Sequence, residues 1–180
     1  GFGGVGEATD RKTRAELLDE SLAILAGLWS GQPFSYQGKH YSLDEMTFTP
    51  TPMQQPRIPI WVVGAWPRMK SMRRAIQWDG LLPNKLNDAG EQVELTPDDI
   101  RAMRDFVAAE RTTATPFDII YEGETPGDKQ AEAAAIMRPW REAGATWWME
   151  SMWSPRRKRE GASDEVSWIR NRIRQGPPRE

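Results

Sequence analysis

The sequence predicts an α/β protein built on a parallel sheet. Three observations carry this. The run Ile58–Gly64 is apolar at both parities, as a strand covered on both faces should be. Gly64 ends that run shortly before a helical pattern in which Met69, Met72 and Ile76 recur among Arg68, Lys70, Arg73 and Arg74. Asp79-Gly80 then opens a second apolar strand, and strand–helix pairs repeat from there to the end of the chain.

The elements follow in order. Asp10 to Trp29 reads as the clearest helix, with Leu18, Leu22, Leu25 and Trp29 on one face and Leu17, Ile24 and Leu28 widening it. Thr13 with Glu16 offers a capping box near its start, and Gly31 with Pro33 stops it. Phe34 and Tyr36 alternate with polar residues, Gln37-Gly38 turns, and Tyr41 and Leu43 return, which predicts a small hairpin. Residues 47–56 read as an extended connection, so 33–56 form an excursion from the sheet. Pro67 suits the first turn of the helix that follows Gly64. A strand ending in glycine at a helix start is a plausible anion cradle.

Beyond the second strand, 84–94 reads as a polar loop. Thr96-Pro97-Asp98-Asp99 starts a helix that turns Ile100, Met103 and Val107 to one side. A short strand over Phe117–Tyr121 follows. Thr125-Pro126-Gly127-Asp128 reads as the next helix start, with Ala133, Ile136, Met137 and Trp140 facing inward and Gly144 at the end. Thr146–Met149 is a further strand, and Val166, Ile169 and Ile173 align on a last helix before Gly176-Pro177-Pro178. Four strand–helix units result.

Bulk properties narrow the function classes. At 180 residues the chain is expected to form one domain, 1–180. A net charge of −2 gives no general attraction to nucleic acid or anionic lipid, and no apolar run of about 18 residues appears. With no cysteine and one histidine, His40, a transition-metal site is not expected, and His40 itself reads as a surface or packing residue. A soluble, cytoplasmic protein is the expectation. Nine tryptophans point to core and interface packing, and a homodimer is expected on that ground. The glycines Gly1, Gly3 and Gly6 match G-x-G-x-x-G, but no strand precedes them, so a dinucleotide site is rejected.

The order of segments resembles the bacterial luciferase-like family of flavin-dependent monooxygenases. The resemblance is carried by Arg57–Pro83 as strand, glycine turn, helix and Asp-Gly strand. It extends upstream through the helix Arg14–Gly31 and the hairpin Phe34–Tyr41, and downstream through Glu142-Ala143-Gly144-Ala145-Thr146-Trp147-Trp148. The family fold is a (β/α)8, or TIM-type, barrel, which needs eight strands. Four strands in this chain imply the C-terminal half of such a barrel, with outer helices and the hairpin excursion, as in a truncated member.

The resemblance implies a flavin phosphate seated on the turn Gly64, Ala65 and Trp66 through backbone amides, with Arg68 supplying charge. Where the family often has a hydroxyl residue, this chain has Ala65 and Trp66. The implied cofactor is FMN, with a deazaflavin coenzyme as the alternative, and the implied reaction is oxygenation or oxidation of a small organic substrate. The catalytic residues of the family lie on early strands and are not identified here. Function gathers at C-terminal strand ends in barrels, so Glu122, Trp148, Glu150 and Trp153 are candidate pocket residues, the glutamates as acid, base or ribityl contacts and Trp153 as a stacking surface. The basic run Arg156-Arg157-Lys158-Arg159 is a solvated loop or a grip on an acidic coenzyme tail. The competing expectation is a non-catalytic half-barrel module that dimerises, or docks a partner, without binding flavin.

Overall fold

The computed structural model describes residues 2–151 and 165–177. The chain divides into two compact units, Gly1–Pro59 and Ile60–Glu180.

In the first unit a short helical turn, Phe2–Val5, precedes helix α1, Arg11–Leu28. The expected cap is corrected. Asp10 is the N-cap, its carboxylate accepting from the Thr13 N–H at 2.9 Å. Glu16 is drawn elsewhere, to Lys39 Nζ at 2.7 Å and His40 Nε2 at 2.8 Å. Leu22 is buried, whereas Leu18 and Leu25 are exposed. Strands β1, Phe34–Gln37, and β2, Ser42–Met46, pair antiparallel as the expected hairpin. Its turn is pinned by Glu20, whose buried carboxylate accepts from the backbone N–H groups of Lys39, His40 and Tyr41 at 2.8–3.2 Å. His40 therefore has a structural partner on each side, as a packing residue should.

The second unit is a mixed α/β structure. Strands β3 (Trp61–Trp66), β4 (Gly80–Leu86), β6 (Asp118–Gly123) and β7 (Trp147–Glu150) lie parallel in that order. Helices α2 (Met69–Ala75), α3 (Pro97–Glu110) and α4 (Gln130–Ala143) follow β3, β4–β5 and β6. The four parallel strands and alternating helices are those of a partial TIM-type barrel, and among the described residues the sheet does not close: β3 and β7 are its two edges. A two-residue strand β5, Gln92–Val93, returns antiparallel to β4, with Lys85 opposite Val93. The polar loop expected over 84–94 is thus mostly the end of β4 and this return.

Side-chain alternation shows which face is covered. Val62, Gly64 and Trp66 share a face with Leu81, Lys85, Tyr121 and Trp148, in agreement with the ladder registers. Met72 of α2 lies against Gly64, Phe106 of α3 against Trp66, and Trp140 of α4 is stacked on Tyr121 at 3.5 Å. All three helices therefore cover one face, as successive right-handed crossovers require. The other face carries Trp61, Val63, Ala65, Asn84, Ile120, Glu122 and Trp147. Double coverage of the first strand, expected from its apolar run, is not observed: Val62 is 4% exposed and Val63 57%. On the bare face Trp61 lies over Gly80 and meets Trp147 with ring centroids 5.3 Å apart, and Ile120 is fully buried.

Several boundaries shift for local reasons. β3 begins at Trp61 rather than Ile58 because Pro59 has no N–H to give the ladder. Asp79 opens β4 by accepting the Ile60 N–H on its carboxylate at 2.7 Å while donating its own N–H to the Ile60 carbonyl at 3.0 Å. Pro67 stands outside α2, whose N-cap is Arg68 in extended geometry. Thr96 and Asp99 form the expected capping box of α3. Helix α4 starts at Gln130, later than expected, and Gly144 ends it at φ 117°, a left-handed position suited to glycine. Ile136 on α4 and Ile173 on the last helix, α5 (Glu165–Gln175), are exposed rather than inward; the buried residue of that turn of α5 is Arg172.

Helix α2 comes close to the sheet at Gly64. A Cβ there would collide with Leu81 Cδ1 and lie 2.9 Å from Met72 Sδ, with Ala75 behind. Gly64→Ala is expected to cost about 1–3 kcal/mol in a urea unfolding titration, and less in a Met72→Ala background that opens the space.

Candidate functional site

The C-terminal rim of the parallel sheet gathers the ends of β3, β4, β6 and β7. At the end of β3 the backbone turns before α2. The Arg68 N–H donates to the Ala65 carbonyl at 2.7 Å. The Ala65 N–H donates to Ser71 Oγ at 3.0 Å. Ser71 occupies the first turn of α2 and thus brings a hydroxyl to the turn from the helix side. The four residues expected to seat a phosphate are contiguous here, but they do different things. Gly64 is buried by α2, Trp66 is packed edge-on against Phe106 with centroids 6.3 Å apart, and the Ala65 amide is engaged by Ser71. Arg68 is exposed, and its guanidinium donates to the carbonyls of Asn87 and Asp88 at 3.3 and 3.5 Å.

The candidate carboxylates part ways. Glu122 is exposed at the end of β6, on the bare face. Glu150 is on the helix face, where it closes a network. Its carboxylate accepts from the Thr125 N–H at 2.6 Å, the Thr125 hydroxyl at 2.7 Å, the Trp148 indole N–H at 3.2 Å and Arg172 Nη2 at 3.0 Å. Arg172 also donates to the Thr125 carbonyl and hydroxyl at 3.1 and 3.0 Å. Burial pushes the Glu150 carboxyl up. The hydrogen bonds from Thr125 and Trp148 and the charge of Arg172 outweigh it, and the net result is a pKa below the ordinary 4.5. Glu150 is therefore an ionised clamp between strand ends and α5, and Thr125 is its partner rather than a helix cap. Trp148 serves the same network and rests on Tyr121, 5.3 Å between centroids. Trp153 and the run Arg156–Arg159 lie outside the described residues.

Other groups were not evident from sequence. Lys85 Nζ and Asp99 pair at 2.8 Å, tying β4 to the start of α3. Asn84, beside Ala65 in the ladder, carries a buried side-chain oxygen without a hydrogen-bond partner among the described residues. A groove of about 470 Å³ runs between α4 and β7, lined by Ala134, Met137, Trp140, Trp147 and Trp148 among others. It flanks the open edge of β7, away from the β3–α2 turn. Among the described residues no group of three or more His, Asp or Glu is placed to hold a metal, and no helix is long and apolar enough to cross a membrane.

Arg172→Met is expected to leave Glu150 charged and half-buried without its cation, costing about 3 kcal/mol of stability in denaturant titration. Glu150 has a lowered folded pKa, so its contribution is present above 4.5 and lost as pH falls through the folded value. Glu150→Gln should accordingly flatten the loss of thermal stability on the acid side of 4.5 while lowering stability at neutral pH.

Comparison with curated proteins gives no match. The family model of the luciferase-like monooxygenases, in contrast, matches residues 1–177. With an open parallel half-barrel whose helices lie on one face and whose strand ends gather at one rim, this chain belongs to the luciferase-like monooxygenase family.

Proposed function

We propose that this chain is the C-terminal half of a flavin-dependent oxidoreductase of the monooxygenase type, and that the rim after β3 receives the phosphate end of FMN. The observation that carries the reading is that the turn after β3 bears an exposed cation, Arg68, together with the Ser71 hydroxyl that holds the Ala65 amide. This set suits a phosphate: Arg68 is the charge expected beside Gly64–Trp66, and the Ser71 hydroxyl is added to it. The orphaned Asn84 oxygen one strand away supplies an acceptor that a purely structural rim has no need of.

When bound, the flavin would supply the redox chemistry that activates dioxygen toward a small organic substrate. The chain's own part is binding and orientation. Arg68 leaves weak contacts to two loop carbonyls to pair with the phosphate. Ser71 can turn its hydroxyl from the Ala65 amide to the ligand, and the apolar residues of the bare face, Val63 among them, exclude water. Glu122 is the exposed carboxylate on that face, and we assign it to substrate or ribityl contacts. A deazaflavin coenzyme shares the phosphate and is the alternative ligand.

A second reading is favoured by one specific observation. The Gly64 cradle is filled by the chain's own Leu81 and Met72, which is the arrangement expected of a half-barrel module without flavin. Titration separates the two. FMN at 100 times its dissociation constant should stabilise the protein by about 2.7 kcal/mol in a thermal shift. Arg68→Ala should weaken FMN about tenfold and leave riboflavin, which lacks the phosphate, unchanged. No response to either FMN or the deazaflavin coenzyme would sink the flavin reading, and a concentration-dependent dimer in sedimentation would then favour the module.

A further inference from the structure

Among the described residues nothing accounts for the side-chain oxygen of Asn84. The residue stands toward the C-terminal end of β4, directly opposite Ala65 in the parallel ladder and on the face away from α2, α3 and α4. Its neighbours in sequence are both accounted for: Pro83 continues the strand, and Lys85 pairs with Asp99 on the helix face. Asn84 Oδ1 is buried and has no hydrogen-bond partner among the described residues. A buried acceptor left unpaired is costly, so an oxygen in this state is open to a donor that the described residues do not supply. The residue as a whole is half-buried at the rim, though the oxygen itself is covered.

We propose that Asn84 is a cofactor-binding residue whose side-chain oxygen accepts a hydrogen bond from a hydroxyl of the ribityl arm shared by FMN and the deazaflavin coenzyme. The inference rests on the flavin reading above. Position selects the hydroxyl. Adjacent strands are about 4.8 Å apart, so Asn84 is one strand spacing from the backbone of Ala65, at the turn assigned to the phosphate. The part of the cofactor covalently next to its phosphate is the polyol chain, whose hydroxyls are donors. The imide N–H of the ring stands at the far end of the molecule. An acceptor of this kind discriminates the arm and is indifferent to the ring, so it serves both cofactors alike.

The test uses the full chain and its Asn84→Ala variant, titrated by fluorescence with FMN, riboflavin, the deazaflavin coenzyme and lumiflavin, which has the ring without the hydroxyl arm. The expected result is about fivefold weaker binding of FMN, riboflavin and the deazaflavin coenzyme by the variant, with lumiflavin unaffected. The ligand-free variant should melt at or above the wild-type temperature, because an unpaired buried oxygen has been removed. Equal binding of riboflavin by both proteins, or an equal loss for lumiflavin, overturns the proposal while leaving the flavin reading standing. A marked fall in the melting temperature of the ligand-free variant also overturns it, since the oxygen would then have a structural partner. Failure of the wild-type chain to bind either cofactor overturns both.

Discussion

The approach of α2 to β3 sets the geometry on which the rest of the second unit depends. Met72, Leu81 and Ala75 occupy the space a side chain at position 64 would need, so the helix lies directly on the strand. That closeness fixes where α2 begins, and therefore that Ser71, on its first turn, reaches the Ala65 amide. It also fixes the face. Once α2 is on one side of the sheet, right-handed crossovers place α3 and α4 on the same side, and Phe106 and Trp140 complete the layer over Trp66 and Tyr121. A doubly wound sheet would have helices on both faces. The one-sided cover distinguishes a barrel segment from that alternative without any appeal to strand number.

One-sided cover has a cost that the molecule leaves visible. Trp147 and Val63 are more than half exposed on the helix-free face, where a closed barrel would bury them in its interior layers. The Trp61–Trp147 contact offsets part of this, and Ile120 on the same face is fully buried. The same face carries Ala65, Asn84 and Glu122 at its rim, so exposed apolar surface and part of the candidate site share one wall.

The two glutamates show how a rim divides labour. Both end a strand and both read as candidate acids or ribityl contacts, yet alternation puts Glu122 on the open face and Glu150 on the helix face. Register alone pairs Glu122 with Met149 and so separates the two carboxylates. Glu150 is then committed by four donors, one of them on the buried Arg172, which makes it a strut for the loop after β6 and for α5. A strut of this kind holds strand ends in place, as a binding rim on loops requires.

The local pattern of residues determined the elements: the period of Met69, Met72 and Ile76, the Thr96–Asp99 box, the Gly144 stop and the apolar runs all act within a few residues, and the parallel order follows from alternating strands and helices. Family membership was legible for the same reason, since it rests on the order of such segments. What only the tertiary structure decided involves partners distant in sequence. Nothing near Thr125 announces that its hydroxyl meets Glu150, 25 residues away, or that Arg172 fills the inward position where Ile173 was expected. Gly64 reads in sequence as part of a ligand seat, and only the tertiary structure shows that the space beside its missing Cβ is taken by Leu81 and Met72. Ser71 and Asn84 were overlooked for a related reason: a hydroxyl on a helix and an amide on a strand are unremarked until the fold brings one to the turn and leaves the other's oxygen without a donor.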